Sequence, residues 1–266
     1  MSAIRNANGG YYPETMLQMA LNEINRTYGH CCEIDRKSLD KYGNYDSVGT
    51  SEVDIGFNGY DLVHSSTNSI DTISSSDNSD TQTITIEGMT ISGSALTFVK
   101  QTKTLTGQTK ATLDTPLSRC TRIQNLSSAT PTAGNVYVYE DGTISGGVPV
   151  DTSTIGNVMV ATDQSTLFAG TSVASNNYFI MLGWWATVNK KTTATADVRL
   201  KWRTVGGVYV TRQKRGINQS SACDHTFAGG YRIVPPNSDI DITAVASTTG
   251  VDISAGFYGV FADIVS

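Results

Sequence analysis

The chain has 266 residues, of which 39% are hydrophobic and only 16% charged, with a formal net charge of -5. Ordinary soluble domains carry roughly 25% charged residues. Here Ser, Thr, Asn and Gly take their place, which suits many short strands and turns and excludes a general nucleic-acid binder, whose phosphate affinity needs massed Lys and Arg.

The length suffices for one large or two medium cores, and the pattern along the chain suggests two domains behind an N-terminal arm. Met1 to Gly10 lacks the apolar h-region of a secretory signal, so synthesis in a cytoplasm is expected. Residues 13–28 read as the one convincing helix, opened by Pro13 in its first turn and closed by Gly29. Met16, Leu17, Ala20, Leu21, Ile24 and Tyr28 recur at helical spacing as an apolar stripe. That stripe needs a cover, either the chain's own β domain or a neighbouring subunit, and in the second case Met16, Leu17, Leu21 and Ile24 form an interface. Residues 30–60, with Gly43, Asn44, Gly49, Gly56 and Gly59 among tyrosines and charges, suggest an extended irregular connector, so the arm covers residues 1–59.

Residues 60–150 carry only β signals. A Ser/Asp-rich tract spans Asn68 to Asp80, and alternating or apolar runs follow at 81–87, 95–100, 121–124 and 135–140, separated by turns. Short strands at such intervals indicate a sandwich or barrel. Ser145 to Pro149 has the composition of a hinge, which sets the domain boundary there.

Residues 151–266 repeat the β pattern with more aromatics. Their longest apolar run, Tyr178 to Ala186, is far short of the roughly 20 residues a membrane-spanning helix needs. Two period-2 runs flank Gly206 and Gly207 and read as a hairpin, since both turn positions need φ > 0. With Val205 opposite Val208, one face takes Val198, Leu200, Trp202 and Tyr209, and the other takes Arg199, Lys201, Arg203, Arg212 and Lys214. This register sets Lys201 against Arg212 and Arg199 against Lys214, which is destabilising without acidic cover. The five cations are therefore candidate interface residues for an acidic patch on another subunit. The alternative is internal neutralisation by Asp239 and Asp241, which share a face of the strand 238–246. Pro235 and Pro236, just before it, mark a loop or edge.

Little here resembles a reaction centre. Cys31, Cys32, Cys120 and Cys223 are too few and scattered for a disulfide framework. Gly142 to Gly146 lacks the spacing of a nucleophile elbow. His30-Cys31-Cys32 and Cys223-Asp224-His225 hold metal-ligand chemistry, but neighbouring residues on a strand point to opposite faces, so no metal site is expected. Asp71, Asp77 and Asp80 lack the order of a calcium loop, so the Ser/Asp tract that holds them is expected to be a solvated loop. Of the adjacent Trp184 and Trp185, one ring belongs in the core and one at an interface; lining a sugar groove with Trp202, Tyr178 and Tyr209 is the alternative.

The order from Asp71 to Glu140, with Thr81-Gln-Thr-Ile-Thr-Ile-Glu-Gly88, Arg122-Ile-Gln-Asn125 and Asn135-Val-Tyr-Val-Tyr-Glu-Asp-Gly-Thr143, resembles β modules of tailed-bacteriophage virion proteins. The ending, from Tyr231-Arg-Ile-Val-Pro-Pro-Asn through Gly256-Phe-Tyr-Gly-Val-Phe-Ala-Asp-Ile-Val265, is similar to the closing strands of phage β-sandwich and jelly-roll virion proteins. The resemblance implies a mainly β chain, with two β-sandwich or jelly-roll-like domains behind the arm. It implies a non-enzymatic capsid cement or decoration protein, a homo-trimer seated on the major capsid protein or other virion proteins. It further implies location in the virion, with no cofactor, membrane or specific nucleic acid. A tail or neck component that recognises host glycan is the alternative.

Overall fold

The computed structural model describes residues 13–57, 63–126, 129–190, 194–218, 223–227 and 230–265. Helix α1 (Pro13–Tyr28) ends where Gly29 takes φ +70 and donates its N–H to the Asn25 carbonyl at 2.9 Å. Next come β1 (Cys31–Val48), β2 (Val53–Asp54), β3 (Ile70–Ser75), β4 (Thr83–Ser92), β5 (Ala95–Thr104), β6 (Ala111–Leu117), β7 (Arg119–Gln124) and β8 (Val136–Glu140). The chain continues through β9 (Ile144–Ser145), β10 (Val148–Pro149), β11 (Ile155–Val160), β12 (Ser165–Thr166), β13 (Gly170–Val173) and β14 (Asn177–Lys190). It ends with β15 (Thr195–Thr204), β16 (Val210–Asn218), β17 (Cys223–Thr226), β18 (Arg232–Val234), β19 (Ser238–Ala246) and β20 (Val251–Val265). The protein is mainly β, with one N-terminal helix.

Two bodies emerge. In the first, eight strands in the order β5-β4-β7-β12-β11-β8-β3-β6 form one sheet that curls into a nearly closed barrel. Its end strands meet through a side chain: Gln101 of β5 donates to the Thr115 carbonyl of β6 at 2.8 Å and accepts the Thr115 N–H at 3.0 Å. Isoleucines 73, 84, 86 and 123 with Val136, Val138 and Met159 fill the interior. Of the sandwich or barrel that the strand spacing indicates, the first β domain is the near-barrel, not the sandwich or jelly roll that the resemblance implies.

The second body is a sandwich. One sheet runs β1-β20-β14-β17, with β18 also on β14, and the other β13-β19-β15-β16, with β2 on β19. Phe179, Trp184, Val198, Leu200, Ile240, Ile242 and Phe257 are buried between them. Because β1 and β2 belong to the sandwich, the barrel is an insertion between β2 and β13.

Three expectations are therefore corrected. The segment 30–60 is no irregular connector, since β1 is an 18-residue strand paired along β20. Its Gly43 marks close packing: a Cβ there would lie 2.6 Å from the Ala169 nitrogen. The Ser/Asp tract contains β3, whose Ser74 and Ser75 are buried with their hydroxyls bonded to the Gly147 carbonyl at 2.7 Å and to Asp80 Oδ2 at 2.5 Å. Buried serines read as loop until their acceptors are seen. The hinge composition at 145–149 belongs to the β9–β10 hairpin, and the chain stays in the barrel sheet through β12.

Candidate functional site

The cationic hairpin face is the first candidate. Its inner half follows the expected register, with Arg199 opposite Lys214, but a bulge between Leu200 and Lys201 shifts the turn end by one residue. A one-residue slip flips side chains across the sheet. Tyr209 thus leaves the face of Trp202 and stacks under Arg203, 4.4 Å from guanidinium to ring centroid, and Lys201 faces Thr211 instead of Arg212. Arg212 lies over Trp202 at 4.8 Å, and Lys214 pairs with Asp197 at 2.7 Å.

The other three cations are closed by the chain's own carboxylates. Strand β19 lies beside β15 and sets Asp241 opposite Lys201 and Asp239 opposite Arg203. Glu52, just before β2, pairs with Arg199 and, at 2.9 Å, with Lys201, and accepts the Thr243 hydroxyl at 2.6 Å. Burial tends to raise the Glu52 carboxyl, but these hydrogen bonds and charges outweigh it and hold it below its ordinary range.

Asp239 is the centre of a buried cluster that joins barrel to sandwich. Arg119 of β7 grips it with Nε at 3.1 Å and Nη2 at 3.2 Å, Ser172 donates at 2.7 Å, and Arg203 Nε approaches at 3.3 Å. Arg119 also donates to the Ser65 carbonyl at 2.6 Å. Burial alone would raise the Asp239 carboxyl, yet His64, Arg119 and the Ser172 hydrogen bond hold it at about 2. His64 is pushed down to about 4 by burial and by the two arginines, against the pull of Asp239. It is therefore neutral at pH 7, and its Nδ1 accepts from Tyr209 at 2.9 Å and Arg203 at 3.2 Å. Beside this cluster burial, with the charge and hydrogen bond of Asp54, raises the Asp241 carboxyl well above its ordinary range.

A second link crosses the same seam. Lys41 of β1 is buried and donates from Nζ to the Thr121 carbonyl of β7 at 2.5 Å, and Arg122 donates to the Asp40 carbonyl at 2.8 Å. Burial and the neighbouring Arg122 lower Lys41 to about 7. Burial pushes the Cys120 thiol nearby up to about 12, which leaves it unreactive. None of Glu52, His64, Arg119 or Lys41 stood out in the sequence: Arg119 and Asp239 are 120 positions apart, and only the topology brings them together.

The helix stripe packs on its own chain, apart from Tyr28, which is 46% exposed. Ala20 and Ile24 are buried against Tyr178, Ile180 and Ala262 on the outer face of the β14–β20 pair, with Leu17 and Leu21 packed around them. Met16 lies so close to Gly230 that a Cβ there would meet its sulfur. The histidine–cysteine segments are not brought together. Cys31 and Cys32 lie at the β20 end near Val265 and Ile264, whereas Cys223 pairs with Ala186. The nine steps along β14 from Asn177 to Ala186 place them roughly 30 Å apart. Among the described residues no group of three or more His, Cys, Asp or Glu could hold a metal. Asp80 instead accepts the Ala133 and Gly134 N–H groups at 2.8 and 3.0 Å, and Asp77 the Ser79 N–H at 2.8 Å. Trp184 and Trp202 are buried, and Trp184 donates to Gln213 at 2.7 Å. No helix among the described residues is long and apolar enough to cross a membrane.

No family model matches the chain, and no curated protein matches it. Two solved structures show a distant likeness. One is the infectious bursal disease virus Gt strain, at 13% identity over 88% of this chain and 73% of that chain, with a TM-score of 0.26. The other is the infectious bursal disease virus VP2 subviral particle, at 13% identity over 85% of this chain and 71% of that chain, with a TM-score of 0.19. At these TM-scores the likeness carries no argument about fold or function.

Proposed function

We propose that the protein is a non-enzymatic structural protein of a tailed-phage virion, a cement or decoration subunit that binds the head shell and stabilises it. The observation that carries this reading is the strand order of the sandwich. Taken along the chain, β1, β13, β14, β15, β16, β17, β19 and β20 fall into the orders first-eighth-third-sixth and second-seventh-fourth-fifth. That is the order of a jelly roll, the double Greek key used by viral capsid proteins and by lectins.

Fold alone does not fix function, and the edge of the sandwich adds an argument for assembly. Strand β16 ends its sheet among the described residues and exposes Arg212, Lys214 and Arg215. At its turn Val208 is 82% exposed, and Val210 follows it. A nine-residue open edge is a liability that a partner strand or subunit removes. The partner we propose is the major capsid protein or another virion protein with an acidic rim, met by a homo-trimer after synthesis in a bacterial cytoplasm.

Particles assembled without the protein should form but release DNA at a lower temperature than complete ones. If they prove equally robust yet fail to adsorb to cells, the second reading, a tail or neck component that recognises host glycan, takes its place.

A further inference from the structure

Among the described residues, the outer face of the sheet β1-β20-β14-β17 is covered by α1 at one end only. At the other end lies a groove of about 500 Å³, lined by Asp40, Leu182, Trp185, Asp224, Tyr258 and Val260 among others. Its floor follows from the register. Trp185 is opposite Gly256, and Tyr258 is opposite Gly183. A Cβ on Gly256 would be 2.9 Å from the Trp185 indole nitrogen, and one on Gly183 would be 2.5 Å from the Tyr258 hydroxyl. Each ring therefore lies down over the glycine of the neighbouring strand, and the two form an aromatic floor. Glycine within a strand marks such close approach.

The outer neighbours in register are carboxylates: Asp224 beside Trp185 on β17, and Asp40 beside Tyr258 on β1. Both are exposed, and neither side chain has an ion pair or hydrogen bond to a described residue. The Trp185 N–H and the Tyr258 hydroxyl are likewise unbonded to described residues. Beyond Trp185 a second hollow of about 530 Å³ continues over Tyr42 to Val160 and Asp163 of the barrel, so the surface is long enough for a chain of several units.

We infer that this groove binds a neutral oligosaccharide. Aromatic faces are electron-rich and attract the polarised C–H groups of a pyranose face, and half-buried Trp and Tyr leave a polar edge for hydroxyls. The carboxylates accept hydrogen bonds from sugar hydroxyls, and their charge repels acidic sugars, phosphates and nucleic acids. Concave, largely apolar and carrying a few convergent polar groups, the groove matches the general form of a small-molecule site. A floor fixed by the sheet loses little freedom on binding. The inference goes beyond the assembly role and holds whether the subunit is on head or tail.

The test uses the full chain on a glycan array of neutral and acidic oligosaccharides, followed by titration of each binder. Trp184 and Trp202 are buried, so Trp185 is the one tryptophan that reaches the surface, and its emission reports occupancy. At least one neutral oligosaccharide should shift that emission saturably. By calorimetry W185A and Y258A should each weaken binding about tenfold or more. G183A should do the same with an unchanged melting temperature, because the atoms a Cβ would meet all belong to the Tyr258 ring and hydroxyl, which can swing aside. D40N and D224N should weaken binding severalfold. Absence of any neutral binder, binding of acidic glycans alone, or full affinity retained in W185A and G183A would overturn the inference.

Discussion

Two faces of the sandwich have opposite fates. The hairpin face of β15 is rich in cations and looks, as a sequence, like a surface waiting for a partner, yet Glu52 and Asp239 from its own chain close it. The outer face of β14 and β20 is rich in aromatics and looks like core, yet beyond α1 it opens into the groove of Trp185 and Tyr258. Alternation along a strand states which residues share a face. What covers that face depends on elements distant in the chain, and charge or greasiness alone does not reveal it.

The sharpest way to break this contrast is at Asp239. It is fully buried, and D239A would leave Arg119, itself 3% exposed, without its carboxylate. Removing one partner of a buried pair costs about 3–5 kcal/mol, so urea unfolding should show a loss of that size and the melting temperature should fall by many degrees. The folded-state carboxyl, at about 2, lies below its ordinary 3.8, so this contribution is complete above about pH 4 and is lost as pH falls toward 2.

The helix comes next. Ile24 is fully buried against Tyr178 and Ile180, so I24A should cost about 2–4 kcal/mol in the same assay. A loss well below 1 kcal/mol would return the stripe to a subunit interface.

Lys41 sharpens the seam through pH. Its folded value, about 7, is below the ordinary 10.5, so between these limits the unfolded chain binds more protons and stability should rise as pH increases from 7 to 10. In Lys41→Met that rise should disappear from the denaturation profile. The smallest effect is expected at Glu52, which is about one-third exposed: E52Q should cost about 1 kcal/mol or less, and salt should diminish it further.

Much of the fold was legible. The helix 13–28 forms over the expected residues, and β19 spans Ser238–Ala246 as its alternation of isoleucine and aspartate suggests. Local capping and period-2 patterns determine such elements. Strands β1 and β3 were not legible, because their glycines and serines are used for close approach and for buried hydroxyl bonds, and both uses depend on partners far along the chain. The hairpin register was half legible, since a bulge at Lys201 leaves no local signature and moves Tyr209 to the other face. Of the Trp184–Trp185 pair, Trp184 lies in the core as expected, whereas the ring of Trp185 lines the outer groove, and the glycine it lies over, Gly256, is on another strand. The insertion of the barrel between β2 and β13 escaped the sequence because both bodies show the same pattern of short strands and turns.

The most direct measurement is a cryo-electron microscopy map of the intact particle. The account predicts the protein in the shell, with the β16 edge at Val208 and Val210 seated against a neighbouring subunit and the Trp185–Tyr258 groove facing solvent. A particle that lacks the protein, or one in which the groove is pressed against the shell and β16 stands open, would contradict it.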